Sequence, residues 1–134
     1  MSLGDEIRIG GDTTEFVSIR RLSRNDPEEW FQTEIEVQCD GWCGKARASF
    51  MRGELTHFAE EIEVLHRKLQ GEAILHPLEA PLTLSFVGDG KGHIEVTGTA
   101  RNGRTSGTKL EFSLNIDQTF LPSIAEGLRA ADSK

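Results

Sequence analysis

Polar and apolar residues alternate with period two along most of this chain, and twice the pattern changes to a helical period. Glu15 to Leu22 carries Phe16, Val17, Ile19 and Leu22 and reads as a strand with β-branched enrichment. Ser23 to Glu28 then supplies Asn25, Asp26 and Pro27, a turn in which Asx side chains cap locally and proline fixes φ. From Phe31 to Cys39 the alternation is clean. Phe31, Thr33, Ile35, Val37 and Cys39 share one face, and Gln32, Glu34, Glu36 and Gln38 the other, as in a half-exposed antiparallel strand. Asp40-Gly41 is a hairpin dipeptide, and Gly44 to Met51 returns with Ala46, Ala48 and Phe50 on one face.

The first helical segment runs from Glu54 to Gln70. Leu55, Phe58, Ala59, Ile62, Leu65 and Leu69 make one apolar stripe. Glu54 near its start, Arg67 and Lys68 near its end and Gly71 just beyond suit the helix dipole and a C′ glycine. Burying Phe58, Ile62, Leu65 and Leu69 is worth roughly 1.5–3 kcal/mol each, against about 0.3 kcal/mol for a Glu63–Arg67 surface pair, so packing decides this helix. Strands resume at Glu72 to Leu75 and Leu82 to Val87, and after a Gly88 to Gly92 turn at Ile94 to Gly98. A polar loop, Asn102 to Gly107, leads to Leu110, Phe112, Leu114 and Ile116 in a last alternating strand. Thr119 to Ala131 is the second helix, with Phe120, Ile124, Leu128 and Ala131 on its stripe and Pro122 in the first turn, where a missing N–H costs little.

These elements predict one α+β domain over residues 4–131: an antiparallel β-sheet of about seven strands with two amphipathic helices, 54–70 and 119–131, packed on one face. Residues 132–134 read as a frayed tail, and Met1, Ser2 and Leu3 are set aside as the kind of remnant an expression vector leaves. A faint duplication supports the scheme. Glu34-Ile35-Glu36-Val37, a hairpin and Phe58…Ile62 are echoed by His93-Ile94-Glu95-Val96, a hairpin and Phe120…Ile124.

Charge narrows the function classes. With 15 basic and 22 acidic residues the net charge is −7, which argues against nucleic acid and anionic membrane, both of which require clustered Lys and Arg. No apolar run approaches the roughly 20 residues that span a bilayer, and no basic-then-apolar start marks a secretory signal. Two cysteines are too few for a disulfide framework, so the expected location is a reducing cytoplasm.

Candidate chemistry changes this picture little. Cys39 and Cys43 lie close across a tight turn and are weak metal candidates, with His57 or His66 to complete a set. Zinc wants four ligands, usually in two short-spaced pairs, and Cys39 continues a buried face as an ordinary small hydrophobe. Gly88-Asp89-Gly90-Lys91-Gly92-His93 looks like a phosphate cradle, but a strand follows it instead of a helix, so a hairpin turn needing positive φ is the better reading. His57, His66, His76 and His93 are scattered, no nucleophile elbow or triad spacing occurs, and no catalytic residue or cofactor is expected. Glu54, Glu60, Glu61 and Glu63 put acid on the first helix. That is either a solvated face or a docking face for a basic protein. Trp30 and Trp42 sit next to turns, as core lids or interface anchors.

The order of landmarks resembles the WapI-type immunity protein family, small bacterial proteins associated with contact-dependent toxins. The matching pieces are Ile35-Glu-Val-Gln-Cys-Asp-Gly-Trp-Cys-Gly44, Leu55-Thr-His-Phe58, Leu65-His-Arg-Lys-Leu-Gln-Gly-Glu-Ala73, Gly92-His-Ile-Glu-Val-Thr-Gly98, and Leu110-Glu-Phe112 running into Asp117-Gln-Thr-Phe-Leu-Pro122. Cys43 departs from the small residue expected after the aromatic. The resemblance implies a non-catalytic α+β domain that binds and blocks a toxin, and it carries over no inhibitory residue. The acidic helix and the turn-side tryptophan supply the partner-binding candidates, Glu54, Glu60, Glu61, Glu63 and Trp42, and make a basic toxin domain the expected partner. The alternatives are a small-molecule binder or enzyme with a pocket between sheet and helices, and a structural protein that forms homo-oligomers. Asp117-Gln118-Thr119 reads as a helix N-cap.

Overall fold

In the computed structural model, which describes residues 6–10, 14–79, 81–102 and 108–133, the elements run four strands and a helix, twice over. The first group is β1 (Glu6–Ile9), β2 (Phe16–Arg21), β3 (Trp30–Cys39), β4 (Trp42–Met51) and α1 (Glu54–Lys68). The second is β5 (Gln70–Leu75), β6 (Leu82–Asp89), β7 (His93–Arg101), β8 (Lys109–Asp117) and α2 (Leu121–Asp132), the last entered through a 3₁₀ turn at Gln118–Phe120. The polar loop expected over Asn102 to Gly107 lies, beyond Asn102, outside the described residues, as do residues 1–3 and Lys134.

The α+β class is as expected, but the strands form two antiparallel sheets of four, β1-β2-β3-β4 and β5-β6-β7-β8, and not one sheet of about seven. Each strand pairs with its neighbour in sequence, and α1 separates β4 from β5, so the hairpin ladder restarts on the far side of the helix. The extra strand, β1, alternates Glu6, Ile7, Arg8, Ile9 over only four residues. The duplication seen in the sequence makes β3 and β7, the third strand of each group, counterparts.

Local chemistry sets the turns. Asp40 (φ 52°) and Gly41 (φ 84°) both take positive φ, the requirement of a two-residue type I′ hairpin. The same glycine need appears at Gly90 (φ 84°) and Gly92 (φ 102°) between β6 and β7, so the apparent phosphate cradle is a hairpin turn. α1 ends differently from expectation: Leu69, not a glycine, takes the left-handed conformation (φ 61°), and its carbonyl accepts the Gly90 N–H at 2.8 Å. Gly88 allows this approach, since a Cβ there would lie 2.5 Å from the Leu69 carbonyl oxygen.

The two halves exchange helices. α1 follows the first sheet but packs on the second, with Phe58 edge-on to Phe86 of β6 at 5.4 Å between ring centres. α2 follows the second sheet but packs on β1, where Gly127 faces Ile7 closely enough that a Cβ would meet it at 3.2 Å. The helices therefore lie against each other and each joins the other half's sheet, and the inward residues of both sheets and both helices form one contiguous apolar cluster.

A buried polar knot closes this exchange. Asp132, the last residue of α2, is 3% exposed, and its carboxylate accepts N–H bonds from Gly53 and Thr56 at 2.8–3.0 Å. It thus caps α1 from the far end of the sequence, a role Gly53 cannot fill. Arg21 of β2 is 0% exposed, donates to the Ala131 carbonyl, to Ser23 O (2.7 Å) and to Asn25 Oδ1 (3.1 Å), and lies over the Phe31 ring at 4.0 Å. Burial pulls the Arg21 pKa down and the Asp132 charge pushes it back up. Asp132→Ala is expected to destabilise the protein by about 1–2 kcal/mol, because it removes a helix cap and leaves the partly buried Gly53 and Thr56 N–H groups without their acceptor. Urea unfolding of the two proteins checks this, and equal midpoints would refute the capping role.

Candidate functional site

The most exposed aromatic side chain among the described residues belongs to Trp42, 71% open at the tip of the β3–β4 hairpin. Cys39 pairs with Trp42 in register, so the indole projects from the hairpin face that farther along carries Ala48 and Phe50 into the core. At the tip that face has run past the core and overhangs β8. The result is a groove of about 450 Å³ between Asp40 and Trp42 on one side and Leu110 to Ser113 on the other. The Cys39 thiol spans the seam and donates to the Ser113 carbonyl at 3.0 Å. On the other side of Leu110 lies a half-enclosed apolar slot of about 120 Å³ bounded by Ile35, Val37, Ala46 and Ala100. It exists because Gly44, Ala46 and Ala100 are small where the two sheets meet.

The acid of α1 is used differently from a free docking face. Glu54 accepts the Met51 N–H and the Leu78 N–H, both at 2.7 Å. Glu61 accepts the Ile74 N–H of the edge strand β5 at 2.8 Å and meets His57 Nε2 at 3.1 Å. Glu63 forms a forked pair with Arg129 of α2 at 2.7 and 3.1 Å. The Arg129 hydrogen bond holds the Glu63 carboxyl below its usual range, and Glu63 in turn raises the pKa of Arg129. Glu60 is the one of the four that points to solvent, 4.0 Å from His57 Nδ1.

The two cysteines are not brought together. Cys39 is buried on the inner face, whereas Cys43 pairs with Gln38 and shares its outer face, so the thiols point to opposite sides of the hairpin. Burial pushes the Cys39 thiol up. Cys39 does lie with Glu15 and Asp40, their ligand atoms all within 4.8 Å of one another.

His93 and Asp117 are cross-strand partners on a shallow exposed surface. His93 Nε2 meets Asn115 Oδ1 at 2.9 Å, and Asp117 accepts the Thr119 N–H at 2.9 Å as an N-cap of the 3₁₀ turn. Asp89 accepts the Lys91 and His93 N–H groups, and the Lys91 bond chiefly keeps its carboxyl below the usual value. Trp30 is half-buried beside Met51.

Residues 8–133 match the Immunity protein WapI-like family, and the chain belongs to that family. No curated protein matches it. In structure it is similar to a chain of "Crystal structures of trypanosoma bruciei MRP1/MRP2", with a TM-score of 0.52 and 11% identity over 98% of this chain and 84% of that one. At that identity the likeness is one of fold. No helix among the described residues is long and apolar enough to cross a membrane.

Two predictions follow from the geometry of these side chains. Glu63 has a depressed folded pKa, so its contribution to stability is present above the usual carboxyl value of 4.5 and is lost as pH falls through the folded value. Glu63→Gln should therefore show a shallower decline of melting temperature on acidification than the parent protein, and parallel curves would refute it. In the native protein, Cys43 should react with a thiol reagent at once and Cys39 only after denaturation. Equal rates at both positions would show that the seam opens readily.

Proposed function

We propose that this chain is an immunity protein that neutralises a bacterial toxin domain by stoichiometric binding, without turnover, in the cytoplasm of the cell that makes it. The observation that carries this reading is the family match over residues 8–133. The exposed Trp42 on a braced hairpin supports it. Large amphipathic aromatics are the side chains most often found as energetic anchors of protein interfaces. The net charge of −7 suits a basic partner, and Glu60 adds long-range attraction of a kind that weakens with salt.

The test is co-expression with C-terminal domains of contact-dependent bacterial toxins, one at a time. Growth should be restored with one of them, and a one-to-one complex should co-purify. Unrelieved toxicity with every domain, the chain in excess, would overturn the proposal. Glu60→Lys should slow association several-fold at low salt and have less effect at high salt. If its effect is the same at both, the electrostatic part of the reading is wrong.

A further inference from the structure

The groove under Trp42 specifies its occupant by three separate features. The first is main-chain geometry. β8 pairs with β7 on one side and is the edge of its sheet. The Ser113 carbonyl faces the seam, because it accepts the Cys39 thiol. In an antiparallel strand, residues two apart turn their N–H and C=O groups the same way, so those of Glu111 and Lys109 face the seam as well. Cys39 occupies the edge at Ser113 and divides it, leaving Lys109–Glu111 as the stretch beside Trp42, enough for a short added strand. Side chains occupy part of two other edges, where Glu61 bonds the Ile74 N–H of β5 and Asn102 Oδ1 bonds the Arg47 N–H of β4 at 3.0 Å, and α2 packs against β1.

The second feature is apolar. The Trp42 indole is 71% exposed and faces Leu110 across the groove, so a side chain between them buries apolar surface on both sides. The third is charge. Asp40 at the groove and Glu15 beside it bring two carboxylates within 4.8 Å of each other. Two like charges at that spacing favour a cation near them. Glu111, already paired with Lys109 at 3.3 Å, adds less.

Building on the immunity reading, we propose that an extended segment of the toxin domain adds as a short strand to β8 at Lys109–Glu111. It places an apolar side chain between Trp42 and Leu110 and a lysine or arginine against Asp40 and Glu15. The occupant is thus a basic, extended polypeptide, bound by strand addition. The hairpin is held before binding by its ladder and by the Cys39–Ser113 bond, so little ordering is needed.

The test uses the full chain and a catalytically inactivated form of the toxin C-terminal domain that it neutralises in co-expression. Binding is measured for the parent, Trp42→Ala and Asp40→Lys, with hydrogen exchange followed on the parent complex. Trp42→Ala should weaken binding roughly thirty-fold. Its melting temperature should stay within about 2 °C of the parent's, since the side chain is largely in water. Asp40→Lys should slow association at low salt, and amide exchange should slow at Lys109 and Glu111, whose N–H groups face the seam, in the complex. Tight binding by the parent that Trp42→Ala leaves unchanged, with no protection in β8, would overturn the docking site and leave the immunity reading standing. No binding by the parent would overturn both.

Discussion

The fold depends on a junction of two helix ends. α1 begins where α2 stops, and a helix N-terminus presents unpaired N–H groups while a C-terminus presents unpaired carbonyls. Asp132 supplies a negative charge to the first and Arg21 a positive charge to the second, so each buried ion sits on the helix end whose partial charge it complements. Their mutual attraction offsets part of the desolvation that lowers the Arg21 pKa. The junction ties β2, the start of α1 and the end of α2, which are remote in sequence. It therefore forms only once the two halves have exchanged helices. A hydrophobic cluster alone would tolerate sliding between halves. The knot tolerates much less, because a shift of a few ångströms leaves several buried polar groups without partners.

A second constraint comes from having two open sheets instead of one closed barrel: four edges have to be protected. Single side chains meet part of three of them, Glu61 at β5, Asn102 at β4 and Cys39 at β8, where Lys109–Glu111 stays open, and α2 packs against β1. Internal contacts thus use Glu54, Glu61 and Glu63 of α1, and Glu60 is left to solvent. Glu54 and Glu61 reach main-chain N–H groups of the segment that follows the helix, and Glu63 joins the two helices. Cys39 also finds its use here. Its thiol bridges the sheets, and the ordinary packing role expected of a buried free cysteine is supplemented by a specific hydrogen bond.

What could be read from the sequence was local. The alternation of Phe31 to Cys39, the Asp40-Gly41 turn, the stripe of α1, Pro122 at the start of α2 and the Asp117 cap all depend on residues within a few positions of one another. Sheet number was hidden because strand pairing across α1 is a tertiary choice, and period two looks the same in one sheet or two. The acidic face was ambiguous because charge spacing on a helix does not tell which glutamates reach a neighbouring strand. Arg21 carried a usable signal: it has the same parity as Val17 and Ile19, which places it on the inward face of β2. Asp132 carried none, since its N–H partners, Gly53 and Thr56, lie more than seventy positions away.

The shared architecture with a structure only 11% identical puts the fold's function in what its surface carries, not in the scaffold. On this surface the outer face of the first sheet is internally balanced. Glu6, Arg20, Glu34 and Arg47 alternate in sign across its four strands, and Arg20 meets Glu34 at 2.7 Å and holds its carboxyl low. Such a face satisfies its own charges and offers a partner little. The seam is different. There a large aromatic, small residues and paired carboxylates coincide where β3 and β4 meet β7 and β8. An indole 71% in water has no packing reason to be at a hairpin tip where a polar residue would serve the turn equally well. Its position at the mouth of the seam is what the proposed strand addition uses.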